Sequence, residues 1–214
     1  MGAVRHPVLE LRQYTLHPGR REELIALFDR EFVEPQEACG MAVVGQFRDL
    51  DRPDHFVWLR GFTDMTARAR GLAEFYGGPV WKTHSGAANA TMVDSDDVLL
   101  LRPVAPRDGL PAPAAPRAPV SGAHQPDSAL LAVVHLDAPS IVDRFPAGGA
   151  VFETEPAANT FPALPVRTDA HATVWLRLFP SVGALDAFLD AHRELHRGAA
   201  QVLRLTPTAR SELR

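Results

Sequence analysis

The residues of this sequence best suited to chemistry are arginines and aromatics set at alternating positions. In VWLRGF, residues 57–62, Trp58 and Arg60 alternate with Val57, Leu59 and Gly61, and in LELRQY, residues 9–14, Arg12 and Tyr14 alternate with Leu9 and Leu11. If both stretches are strands, side chains two apart share a face, so the small aliphatic set suits the helices and Arg12, Tyr14, Trp58 and Arg60 are expected to project together into the barrel space between the sheets. Two guanidinium groups beside aromatic surface can stabilise a developing enolate or phenolate, which is electrostatic catalysis that needs no cofactor. A tyrosine hydroxyl or an imidazole can then move the proton. On this reading the catalytic candidates are Tyr14, Arg60 and His84, and the substrate-binding candidates are Arg12, Trp58, Tyr76, Trp81 and His55. The competing reading is structural: Arg60 pairs with Glu10, or the arginines are solvated at an open barrel mouth.

VWLRGF returns as VWLRLF at residues 174–179, and this repeat helps to weigh the two readings. Trp175 and Arg177 match Trp58 and Arg60, whereas Ala132 and Val134 are expected where Arg12 and Tyr14 would fall. A pair present twice points to architecture. Residues present once, Arg12, Tyr14, Tyr76, Trp81 and His84, point to a site.

Other constellations carry less. The glycines of FYGGPVWKTH, residues 75–84, lack P-loop spacing and are expected to turn the chain. That turn sets Tyr76, Trp81 and His84 at the barrel rim, an aromatic wall with a few polar groups suited to a small-molecule pocket. HRELH, residues 192–196, puts two histidines one helical turn apart. The glutamate does not follow the first histidine and no third ligand is evident, so no metal site is expected. A haem would need His55, His84 or His171 as axial ligand, and no flanking pattern selects one. The single cysteine, Cys39, excludes an internal disulfide and is expected to be a small core residue.

These residues need elements to position them. Val8 to Leu16 reads as a strand, and HPGRREELIALFDREF as an amphipathic helix carrying Leu24, Leu27, Phe28 and Phe32. Met41–Phe47 and His55–Phe62 form a hairpin across DLDRPD. A second helix, capped by Thr63 or Asp64, carries Met65, Leu72, Phe75 and Tyr76, and Asp97–Arg102 is a fourth strand. The order βαββαβ is the ferredoxin-like unit. After a Pro/Ala-rich linker the plan recurs in strands Ala129–Leu136, Ala150–Glu155, Ala172–Phe179 and Gln201–Thr206, with a helix capped by Ser181. Only DAPSIVDRFPAGG separates the first two of these strands, so the second unit lacks most of its first helix.

The expected fold class is therefore α+β: two ferredoxin-like units, residues 1–103 and 128–214, joined by the linker 104–127 and packed sheet on sheet into a dimeric α/β barrel architecture. Each sheet carries helices on one face and must bury the other, and spacing leaves open whether the halves of one chain close together or each pairs across a homodimer.

Composition narrows the partners. The 214 residues are 46% hydrophobic, enough for a core, and a net charge of −4 without a basic stripe argues against nucleic acid. The opening MGAVRHPVLELRQY reaches charges too early for a signal peptide, and no run nears the roughly 20 apolar residues that cross a bilayer. A soluble, cytoplasmic protein without a membrane partner is expected, with a homo-oligomer, a dimer, as its form.

LELRQYTLHPGRREELIALF, together with FVWLRGF and FYGGPVW, resembles the NIPSNAP family, over residues 8 to 103. The resemblance implies the dimeric α+β barrel fold, whose wider superfamily includes cofactor-independent monooxygenases, haem-binding enzymes, isomerases, cyclases and decarboxylases. It therefore implies a small aromatic or polyketide-like ligand and no cofactor, with a non-catalytic binding or scaffolding protein, or a haem-dependent enzyme, as alternatives.

Overall fold

A computed structural model describes residues 5–105, 109–113, 115–169 and 171–214, apart from the side chain of His196. The first half runs β1 (Val8–Leu16), α1 (Arg21–Glu31), α2 (Val33–Ala38), β2 (Ala42–Asp49), β3 (His55–Phe62), α3 (Met65–Gly77), α4 (Pro79–Asn89) and β4 (Met92–Pro103). The second runs β5 (Ala129–Leu136), a 3-10 turn (Pro139–Arg144), β6 (Ala150–Thr154), β7 (Ala172–Phe179), α5 (Val182–Ala191), a second 3-10 turn (Arg193–His196) and β8 (Gln201–Pro207).

Local chemistry sets the helix ends. Asp64 caps α3, its carboxylate accepting the Ala67 N–H at 2.7 Å, and Ser181 caps α5, accepting the Ala184 N–H at 3.2 Å. α1 buries Leu24, Ile25, Leu27 and Phe28 along one stripe. α4 departs from the turn expected after the glycines. Pro79 occupies its first turn, where the missing N–H costs nothing, so GGPVWKTH starts a helix instead of a rim loop. Between β5 and β6 a six-residue 3-10 turn stands where the first half has two helices.

All eight strands form one closed barrel in the order β1-β3-β2-β8-β5-β7-β6-β4, every pair antiparallel. The strand order β4-β1-β3-β2 in the first half is repeated as β8-β5-β7-β6 in the second. The halves join at two short seams, Phe47–Asp49 against Leu205–Pro207 and Leu101–Pro103 against Phe152–Thr154. Closure within one chain is thus the answer to the pairing left open by spacing. Closure also leaves no free sheet edge among the described residues.

The faces are the reverse of those expected. Leu9, Leu11, Val57 and Leu59 turn into the lumen, where they meet Leu130, Ala132, Val134, Val174 and Leu176 in a single apolar core. Arg12, Tyr14, Trp58 and Arg60 instead lie under the helices. An eight-stranded lumen is just wide enough to be filled by side chains, and a dry interior of that kind takes aliphatic residues. Charged side chains find their partners on the helix side, where helix residues can answer them.

The repeat also aligns one residue away from the expected match. Glu10 pairs with Arg60, Arg12 with Trp58 and Tyr14 with Phe56, while Leu131 pairs with Arg177, Val133 with Trp175 and His135 with Thr173. The counterparts of Glu10, Arg12 and Tyr14 are therefore Leu131, Val133 and His135, in place of the expected Ala132 and Val134. ALLAVVHL is buried on both faces, so it shows no alternation from which to choose the register.

The described residues of the segment between β4 and β5 form neither helix nor strand, yet they are pinned to the barrel. Arg117 donates to the carbonyls of Val43 and Arg210 at 2.6 Å each and to Glu37 at 2.7 Å, and Leu110 packs against the lumen core.

Candidate functional site between the first-half sheet and its helices

Glu10 organises the helix-facing surface of β1 and β3. Its Oε2 accepts from Arg60 Nη2 at 2.7 Å, Arg60 Nε at 2.9 Å and Arg12 Nη1 at 3.0 Å, and its Oε1 accepts from Arg68 Nε at 2.8 Å. All four side chains are at most 1% exposed. Burial pushes the Glu10 carboxyl up, but the guanidinium groups of Arg60, Arg12 and Arg68 outweigh it and bring it down to about 2. Glu10 is therefore ionised at neutral pH. Burial also draws the Arg68 guanidinium down against the pull of Glu10, and it stays charged because arginine starts so high.

Several of the other donors reach a ring of neutral acceptors. Arg60 Nη1 donates to Gln36 Oε1 at 3.0 Å and to the Tyr76 hydroxyl at 3.3 Å. Arg12 Nε donates to the Tyr14 hydroxyl at 3.2 Å, and Arg68 Nη1 to Asn159 Oδ1 at 2.9 Å. Burial pushes the Tyr14 phenol up despite Arg12, so it is a protonated hydroxyl at neutral pH. The Arg60 guanidinium stacks over the Trp58 ring at 4.9 Å, and that of Arg12 lies over the same ring at 5.5 Å.

Beside this cluster a slot runs between the sheet and α1 to α4, lined by Tyr14, Trp58, Phe28, Phe32, Gln36, Tyr76 and Trp81 among others. Its volume is about 20 Å³, room for about one water. Tyr76 packs on Trp81 at 4.8 Å and against Phe161 at 6.0 Å, so these half-buried rings form a roof. Phe161 belongs to the β6–β7 connection, which crosses from the second half and supplies Asn159 as well. Two larger clefts, of about 440 Å³ beneath that connection and about 290 Å³ beside Arg177, lie outside the slot.

Of the residues expected in a site, Arg12, Tyr14, Trp58, Arg60, Tyr76 and Trp81 come together here, under the helices and not in the barrel lumen. His84 and His55 stand apart. His84 rides on α4, half-buried, with Nε2 3.4 Å from a Glu31 carboxylate oxygen, and does not line the slot. His55 begins β3 on the alternation of Val57 and Leu59, away from Tyr14; burial and then Arg52 draw its imidazole down. His192 stacks on Phe188, and the side chain of His196 lies outside the described residues, so the second member of HRELH is not placed.

Sequence reasoning missed Arg68, Gln36 and Asn159. Arg68 left a signal: it falls between Met65 and Leu72 on the apolar stripe of α3, a place where an unpaired charge would not be tolerated. Asn159 left none, because its partner lies 91 residues away across an irregular connection. In the second half the equivalent space is filled. Trp175 is stacked between Phe145 at 6.0 Å and Phe188 at 5.7 Å, and Leu131 and Val133 replace Glu10 and Arg12.

These features define an α+β barrel protein with a buried arginine cluster beside an aromatic-walled slot beneath one set of helices. The NIPSNAP family model matches residues 9–106, and this half of the chain is NIPSNAP-like. Among solved structures, a candidate monooxygenase from Fusobacterium nucleatum is similar over 97% of this chain and 94% of its own, at 11% identity and a TM-score of 0.55. A candidate monooxygenase from Lactobacillus acidophilus is similar over 95% and 94%, at 13% identity and a TM-score of 0.52. A NIPSNAP-like domain protein from Burkholderia xenovorans is similar over 54% of this chain and 94% of its own, at 24% identity and a TM-score of 0.41. No curated protein matches the sequence. Among the described residues no helix is long and apolar enough to cross a membrane.

Proposed function

We propose that the slot binds a small aromatic or polyketide-like molecule and acts on it by cofactor-independent acid–base or oxygenase, cyclase or isomerase chemistry. The observation that carries this reading is one apolar slot walled by Tyr14, Trp58, Tyr76 and Trp81, with Arg12 and Arg60 directly beside it, donating to the Tyr14 and Tyr76 hydroxyls. The rings offer stacking surface, the guanidinium groups oppose a developing oxyanion, and the Tyr14 hydroxyl, held protonated, can donate to it. The fold shared with the two candidate monooxygenases is compatible with this reading. His84 and His55 have no part in it. The slot is built within one chain, whose barrel closes in cis, and a homodimer remains a separate proposal.

The small volume of the slot favours one rival, a non-catalytic scaffold whose rings merely pack. To admit a ring, the roof of Tyr76, Trp81 and Phe161 must shift. Native mass spectrometry of the freshly purified chain, then of the chain mixed with 1-naphthol, separates the two. An aromatic mass that is retained or taken up, and lost in a Tyr14→Phe/Tyr76→Phe variant with unchanged circular dichroism, supports the site. A chain that retains no such mass and takes up neither 1-naphthol nor an aromatic carboxylate such as benzoate favours the scaffold.

A further inference from the structure

We propose that the ligand of the slot already carries a formal negative charge when it binds, a carboxylate on a planar aromatic frame, and that it serves as counterion to the arginine cluster. The inference rests on the reading of the slot as an aromatic ligand site. It differs in placing the charge on the resting ligand and not only on a transient oxyanion.

The argument is a count of charges in a dry place. Arg12, Arg60 and Arg68, each at most 1% exposed, face Glu10, the one carboxylate that meets all three among the described residues. The excess is two positive charges. Glu10 already accepts four N–H donors, three on Oε2 and one on Oε1, and its single negative charge is shared among all three guanidinium groups. The remaining partners, Tyr14, Gln36, Tyr76 and Asn159, are neutral. Buried charges are expected to be paired, and a pairing that exists only during turnover leaves the resting protein uncompensated.

One orphaned donor points the same way. Arg68 Nη2 is buried without a hydrogen-bond partner among the described residues, whereas the unpartnered Trp58 Nε1 is matched by an unpartnered Trp175 Nε1 in the second half and decides nothing. A guanidinium N–H is a donor only, so whatever completes it must be an acceptor. A carboxylate supplies acceptors and charge together, while its aromatic frame matches the walls formed by Trp58, Tyr76 and Trp81. The second half supports this by contrast. Where Leu131 and Val133 replace Glu10 and Arg12, there is no buried excess of charge, and Phe145 and Phe188 fill the space over Trp175.

The test compares benzoate with its neutral isostere benzamide by calorimetric titration and thermal unfolding at pH 7, on the wild-type chain and on Trp81→Ala. Trp81 is half-exposed at the roof, and its removal opens the slot without touching the charges. The expected result is that benzoate raises the melting temperature and binds at least tenfold more tightly than benzamide, and that the same preference for benzoate holds in Trp81→Ala, where entry is easier. In Arg12→Gln, which removes one positive charge, the preference for benzoate should narrow; if that variant does not fold, the comparison on the other two chains decides. Benzamide binding as well as benzoate overturns the anionic ligand and leaves the aromatic site standing. Neither compound binding, even to Trp81→Ala, overturns both.

Discussion

Replacing Glu10 by glutamine keeps the shape of the side chain and removes the charge on which three buried arginines depend. The carboxyl falls from an ordinary value of 4.5 to about 2 in the folded chain. At about 1.36 kcal/mol per unit, that shift alone is a contribution of about 3 kcal/mol to stability at neutral pH. Full burial means that solvent screening does not reduce it. Breaking a buried pair by removing one member costs about 3–5 kcal/mol, so the two routes agree. Because the folded value lies below the unfolded one, the contribution is present above about pH 4.5 and is lost as pH falls from there toward 2. Urea unfolding of wild type and Glu10→Gln at pH 7, repeated at pH 5, 4 and 3, measures both features. The variant should lose about 3 kcal/mol or more at pH 7, and the gap between the two chains should close in acid. A loss below about 1 kcal/mol at pH 7, or a gap that persists unchanged at pH 3, would refute the view that Glu10 holds the cluster together.

Three further outcomes follow from the same physics. Arg177 stacks over Phe179 and Phe188 at 5.0 and 4.7 Å and forms no ion pair among the described residues, so Arg177→Met should cost less than about 1 kcal/mol in urea unfolding, whereas Arg60→Met should cost about 3 kcal/mol or more. Burial pushes the Asp29 carboxyl up to about 6, from 3.8, against the pull of Arg210. Its folded form therefore loses stability as pH rises from about 4 through 6, and Asp29→Asn should be the more stable chain at pH 7 by about 1 kcal/mol, the partial exposure of the residue reducing the full effect. A Cβ at Gly149 would lie 2.2 Å from Trp175 Nε1; Gly149→Ala should lower the unfolding midpoint by an overpacking cost of about 1–3 kcal/mol and change the near-ultraviolet circular dichroism of Trp175.

Much of the barrel was legible because its signals are local. The apolar stripe of α1, the Asp64 and Ser181 caps and the shortened β5–β6 connection each occupy a few consecutive residues, and the structure has them all. The direction in which the faces point was not legible. Alternation separates Leu9 and Leu11 from Glu10 and Arg12 but does not say which set the helices cover, and that choice is made by a closed lumen contributed by both halves. The arginines and rings of the site were visible as types, and Glu10 as a partner for Arg60. Arg68, Gln36 and Asn159 join them only through contacts between elements distant in sequence, which no spacing rule reports.

The two halves share a strand plan but divide the work. Burying a carboxylate with three guanidinium groups is costly, and Leu131 and Val133 show that the same place in the same strand order can be filled by aliphatic side chains. An apolar solution thus stands one repeat away, and the charged one in the first half depends on partners that the same half supplies, Arg60 and Arg68. The second half answers to the first in two ways. Its sheet closes the lumen, and its β6–β7 connection brings Asn159 to Arg68 and Phe161 to Tyr76. The short first-half hairpin between Asp49 and His55 offers no such reach, while seventeen residues from Glu155 to His171 do. Truncating that connection should therefore loosen the roof and free Arg68 Nη1 from Asn159, while the Arg68–Glu10 pair and the barrel seams stay intact, which near-ultraviolet circular dichroism and urea unfolding would check. The physical content of the asymmetry is that one repeat bears the charged site and the other covers it.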